Sequence, residues 1–107
     1  MSDREGLGEF EHIIILALLR LGDEAYGMRV RQEIEQRAGR ETSIGAVYST
    51  LDRLEIKGLV QSNTADPTPE RGGRAKRIFR ATPKGIQALE RSQQALMNMM
   101  EGLTWKA

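Results

Sequence analysis

Between residues 9 and 21, apolar side chains fall at Phe10, Ile13, Ile14, Ala17, Leu18 and Leu21, the three-and-four spacing of one helical face. Ile15, Leu16 and Leu19 fill positions between them, so the pattern predicts a first helix buried nearly all round. Gly22-Asp23-Glu24 closes that helix and opens a second over residues 25–38. There Tyr26, Val30 and Ile34 recur every fourth position, Arg29, Arg31, Glu33, Glu35 and Arg37 point outward, and Gly39 supplies the stop. Thr42-Ser43 offers a cap for a third helix reaching about Lys57, with Ile44, Val47, Leu51 and Leu54 facing inward and Gly58 ending it. After that glycine the period changes. Residues 59–64 and 75–81 read as short strands joined by a loop that holds Pro67, Pro69, Gly72 and Gly73, which makes a hairpin. Thr82-Pro83 then restarts a helix, the threonine as cap and the proline at the first helical position, where its missing amide costs nothing; this helix is expected to reach about Leu103.

A chain of 107 residues is expected to be one domain with a modest core, helped by oligomerisation. It divides into a flexible leader (1–8), a compact unit (9–82) and a C-terminal helix (83–107). With no cysteine, neither a disulfide nor a thiolate metal site is possible. The longest apolar run, residues 13–19, is too short for a bilayer and is flanked by Glu9, Glu11 and Arg20. A secretory leader is also missing, so a soluble, cytoplasmic protein is expected.

The net charge of +1 says nothing about partners, but its distribution does. Residues 1–24 are mainly acidic, whereas residues 71–84 contain Arg71, Arg74, Lys76, Arg77, Arg80 and Lys84 and no acid. Such a stripe suits phosphate, although a solvated strand face would look similar. His12 stands alone on an apolar helix and reads as structural, and Glu9, Glu11, Asp23 and Glu24 read as loop and helix-end charges. No catalytic set, metal motif or cofactor loop can be assembled, which points away from an enzyme.

Three helices, a hairpin and a further helix is the order of a winged helix-turn-helix, mainly α with a small β-hairpin (α+β), followed here by a dimerisation helix. In that arrangement the third helix enters the major groove of double-stranded DNA. Its outward side would present Ser43, Gly45, Ala46, Ser49, Thr50 and Arg53, with Tyr48 at the border. Small residues permit close approach to base edges, and the hydroxyls and the arginine reach phosphate or guanine. The same composition would suit the surface of an ordinary core helix. The turn from Glu70 to Arg77 shifts the balance, because Gly72 and Gly73 allow a tight bend while Arg71, Arg74 and Lys76 bring charge to the backbone.

Several blocks then carry a family resemblance: Ala25-Tyr26-Gly27-Met28, the run from Ser43 to Glu55, Gly58-Leu59-Val60, Gly72-Gly73-Arg74 and Thr82-Pro83-Lys84-Gly85. In order and spacing the chain resembles PadR-type transcriptional regulators over residues 9–90. The resemblance implies a homodimeric repressor on a palindromic operator. Tyr48, Ser43, Gly45 and Ser49 would lie at the DNA face, Gly72, Gly73 and Arg74 at the wing tip, and Tyr26 near the DNA backbone. Two departures stand out. Ala75, Ile78 and Phe79 replace the family's usual proline and wing aromatics, and one C-terminal helix leaves little room for an effector domain.

That last helix spaces Ile86, Leu89, Gln93, Leu96, Met100 and Leu103 by three and four, the seam of a coiled coil, with a polar residue at one core position. The same face could instead pack on the first helix of its own chain. Met97, Met99, Met100 and Trp105 form an adaptable apolar group where a small apolar effector could lodge, against the plainer reading of gap-filling or a frayed tail. The competing functions are therefore a ligand-responsive sensor-repressor and a winged-helix protein-interaction adaptor.

Overall fold

The computed structural model describes residues 6–64 and 76–105. Helix α1 (Glu9–Leu21) starts behind Gly8, whose backbone N–H donates to the Glu11 carboxylate at 2.9 Å, the third-position half of a capping box. Glu9 and Glu11 at this end and Arg20 at the other complement the helix dipole. Gly22, at φ 55°, turns the chain out of α1 in a left-handed conformation that favours glycine.

The second helix begins two residues later than its sequence suggests. Residues Gly22–Glu24 form a 3-10 turn that Ala25 closes, and Tyr26 stays extended because the hairpin recruits this segment. The Phe79 N–H donates to the Ala25 carbonyl at 2.9 Å, and Tyr26 pairs with Ile78 as an antiparallel bridge. Helix α2 (Gly27–Ala38) follows and ends at Gly39. Helix α3 (Ile44–Ile56) is capped by Ser43, whose hydroxyl accepts from the Ala46 N–H at 3.0 Å. Strands β1 (Val60–Thr64) and β2 (Arg77–Ala81) are antiparallel, in register from Val60 opposite Ala81 to Thr64 opposite Arg77. Helix α4 (Pro83–Met100) completes the order.

Thr82 fastens α4 to the body. Its hydroxyl accepts from the Gly85 N–H at 3.0 Å and donates to the Gly58 carbonyl at 2.7 Å. The first turn of α4 is pressed so closely on the preceding segment that a Cβ on Gly85 would sit 2.1 Å from the Leu59 carbonyl oxygen. The core lies where α1, α2, α3 and the hairpin meet, closed by the first half of α4, with Ile14, Ile15, Leu18, Val30, Ile34, Val47, Leu51, Leu54, Val60, Phe79 and Leu89 buried together.

Three expectations need correction. Helix α1 is not buried all round: Leu16 and Leu19 are 43% and 48% exposed, because α2, α3 and α4 cover only part of its circumference. Within the leader, Leu7 packs partly against the core and Gly8 serves as cap; residues 1–5 lie outside the described residues. Helix α4 stops at Met100, so Leu103 lies beyond it, and its buried residues, Gly85, Ala88 and Leu89, all belong to its first half. Among the described residues no helix is long and apolar enough to cross a membrane.

Candidate nucleic-acid interface

Helix α3 turns Val47, Thr50, Leu51 and Leu54 into the core and leaves Ser43, Gly45, Ala46 and Ser49 exposed. Thr50 thus moves from the outward set to the buried one: three residues after Val47 and four before Leu54, it falls on the inner edge of the stripe. Tyr48 is 37% exposed at the border, as its spacing suggests. Its ring lies flat against Gly27, where an added Cβ would come within 2.4 Å of the phenol, and stands 6.2 Å from the Phe79 ring. A glycine at the first turn of α2 is therefore what lets Tyr48 tie α3 to α2 and to the wing strand. Tyr26, next to that glycine, is partly buried, and the Lys76 ammonium sits 3.7 Å from its ring centroid. Tyr26, Tyr48 and Lys76 are thus gathered around the junction of α2, α3 and the hairpin.

Arg53 is exposed on the flank of α3, one turn beyond Ser49, and is already engaged. Its Nε donates to Glu11 at 3.3 Å, and Lys57 Nζ donates to the same carboxylate oxygen at 3.1 Å. Glu11 is only 6% exposed, so this helix-end charge is also a buried anion. Burial pushes its pKa up, but the Gly8 N–H, the hydrogen bonds from Lys57 and Arg53 and the Lys57 charge outweigh burial and hold the carboxyl below its ordinary value. Two sequence signals could have found it: a glutamate three residues after the Gly8 cap, and a basic pair four apart on the flank of the third helix.

The basic stripe is likewise partly neutralised from within. Arg77 pairs with Glu55 at 2.6 Å and Asp52 at 3.4 Å, donates to the Ser62 hydroxyl at 3.0 Å and lies 4.7 Å from the Phe79 ring centroid. Arg80 pairs with Asp23, and Lys84 reaches the Lys57 carbonyl. Asp52 and Glu55 come from α3, so these contacts bolt the wing strand to that helix. Arg71, Gly73 and Arg74, with Gly72, lie outside the described residues.

The seam residues of α4 divide. Leu89 is buried in its own chain's core, whereas Ile86, Gln93, Leu96, Met100 and Leu103 are exposed. One stripe cannot serve both ends of this helix alike, because its first half docks on α1 and β2 while the second half extends beyond them. His12 and Ser92 mark the last polar contact between α1 and α4, with Nδ1 3.1 Å from the hydroxyl. Past it, Met97, Met99 and Trp105 are exposed with the seam residues. Among the described residues no cluster of side chains could hold a metal ion.

An exposed helix of small residues set beside a two-stranded hairpin defines a winged helix-turn-helix. The chain belongs to the Transcriptional regulator PadR-like family, which it matches over residues 15–91. The family is one of transcriptional regulators, and the helices and hairpin of this chain have the winged-helix fold. It is similar to the transcriptional regulator Rv3488 of Mycobacterium tuberculosis, with 40% identity over 74 residues, covering 69% of this chain and 64% of that relative. The chain therefore spans less than two thirds of that relative's length. In fold it is similar to a PadR-like transcription factor of Bacteroides fragilis (TM-score 0.70, 24% identity, 86% of this chain and 84% of that one). The winged-helix DNA-binding protein F93 from STIV has the same fold (TM-score 0.70, 20% identity, 94% and 100% coverage).

Proposed function

We propose that this chain binds DNA in a sequence-specific way and acts in the cytoplasm as a homodimeric repressor on a palindromic operator. The observation that carries the reading is the outward face of the first turns of α3, where the small residues Ser43, Gly45, Ala46 and Ser49 are exposed beside Tyr48. A helix surface this low can enter the major groove until its backbone nears the base edges, and the two hydroxyls can then donate or accept there. Tyr48 and Tyr26 border the face, and Lys76 leads into the wing, whose Arg71 and Arg74 would meet phosphates.

The dimer reading is supported by the apolar surface left on one chain. Leu16 and Leu19 of α1 and Leu96, Met97 and Met100 of α4 are all exposed. Exposed apolar residues in such number are more than the scatter usual on a monomer's surface. A two-fold pairing through α4, with Ile86, Gln93, Leu96, Met100 and Leu103 available and Leu89 retained in its own core, would present two α3 helices to half-sites one helical turn apart, about 34 Å.

The test is a gel-shift comparison of the DNA upstream of the protein's own gene with a scrambled duplex of equal length. A preference of at least about a thousandfold at physiological salt is expected, and equal binding to both would overturn specific regulation. Within the site, Arg74→Ala should weaken every sequence alike, whereas Ser49→Ala should change the preference at one base step.

A further inference from the structure

Helix α3 and its C-terminal cap carry two cations, Arg53 and Lys57, on the exposed flank that continues from Ser49, and both are held by one buried carboxylate on another element. Glu11 sits at the start of α1, accepts from the Gly8 N–H with one oxygen and from Arg53 and Lys57 with the other. We propose that Glu11 is a positioning residue that withholds Arg53 and Lys57 from DNA, so that α3 meets the groove through its small and hydroxyl residues and indiscriminate phosphate binding is kept low. The inference rests on the DNA-binding reading above.

The chemistry favours this division of labour. A cation free on a recognition helix adds phosphate affinity to every sequence alike and so lowers the ratio of specific to non-specific binding. A carboxylate largely removed from water is costly to leave without its partners, so Arg53 and Lys57 cannot leave Glu11 cheaply when DNA arrives. On the other flank Arg77 is paired with Asp52 and Glu55 in more solvent-exposed ion pairs, so α3 is bordered on both sides by cations already paired within the chain. The charge meant for phosphate is then concentrated in the wing.

The experiment measures affinity for a random-sequence duplex as a function of salt, using the full chain. Glu11→Gln keeps the shape and the oxygen that caps Gly8 but removes the charge that holds the two cations. It should steepen the slope of log affinity against log salt by up to about 1.8, an extra loss of roughly twelvefold between about 50 and 200 mM salt. In the wild-type background, Arg53→Gln with Lys57→Gln should leave the slope unchanged. Added to Glu11→Gln, the same pair should restore the wild-type slope. An unaltered slope in a folded Glu11→Gln protein would overturn the proposal. A slope lowered by about 1.8 in the Arg53→Gln, Lys57→Gln protein would overturn it too, and that arm decides the matter if Glu11→Gln does not fold. Wild-type protein that binds no duplex at any salt would instead overturn the DNA-binding reading, and this inference with it.

Discussion

Helix α3 and the second half of α4 are both amphipathic, yet one is finished within the chain and the other is not. Helix α3 buries its apolar stripe, is capped by Ser43, and is tied on its flanks to Glu11, to Gly27 through the Tyr48 ring and to the wing through Arg77. The part of α4 beyond Ser92 turns comparable apolar side chains to solvent. Each Leu or Met left about half outside forgoes on the order of 1 kcal/mol of burial. The element proposed to read DNA is thus rigid before any partner arrives, and the element proposed to pair two chains has its driving force in reserve. The family match ends at residue 91, next to the place where α4 parts from the body.

The sharpest way to break the finished half is Gly85→Ala. In an ordinary helix alanine is better than glycine by about 1 kcal/mol, but here its Cβ would meet the Leu59 carbonyl at 2.1 Å, and a backbone atom cannot step aside. A loss of about 3 kcal/mol in urea unfolding is expected; an unchanged midpoint would mean that α4 does not dock on Leu59 as described. The unfinished half is tested by Leu96→Glu, which should weaken self-association at least tenfold, about 1.4 kcal/mol, in sedimentation while leaving the monomer's fold intact. An undiminished dimer would remove this helix from the interface. Gly27→Ala should cost about 1 kcal/mol by displacing the Tyr48 ring, and Tyr48→Ala in the same chain should recover part of it, a coupling that additive costs would exclude.

The smallest effect concerns acid. The Glu11 carboxyl is held below its ordinary pKa in the folded chain, so ionised Glu11 stabilises the fold above the unfolded value of about 4.3, and this contribution fades as pH falls through the lower folded value. Arg53 and Lys57 remain charged throughout. The stability advantage of wild type over Glu11→Gln should therefore be full near neutrality and shrink below about pH 4.3. A gap that widened on acidification would contradict the burial of an ionised Glu11.

Local rules made much of this legible. The Ser43 and Thr82 caps, the Gly39 and Gly58 stops and the strand pair all follow from side-chain hydrogen bonding, from backbone freedom and from a change of hydrophobic period, which are properties of neighbours in sequence. The outward residues Ser43, Gly45 and Ser49 and the border position of Tyr48 follow from helical spacing for the same reason. The misread positions share a different cause. Periodicity says that a side is apolar but not how much of it a neighbour covers, so it makes Leu16 and Leu19 look buried and Thr50 exposed, and it groups Leu89 with residues of the same stripe that lie beyond the body.

What the amino-acid order determined by itself is therefore the set of elements, their punctuation and the family to which they belong. Tertiary structure decided where charges and glycines act. Glu11 meets Arg53 and Lys57 only because α1 crosses α3, Arg77 meets Asp52 and Glu55 only because the hairpin folds back, and Gly27 and Gly85 are needed only where another segment presses on them. Coulomb attraction and steric exclusion depend on distance in space, and between residues some twenty to forty-six positions apart that distance exists only once the chain has folded.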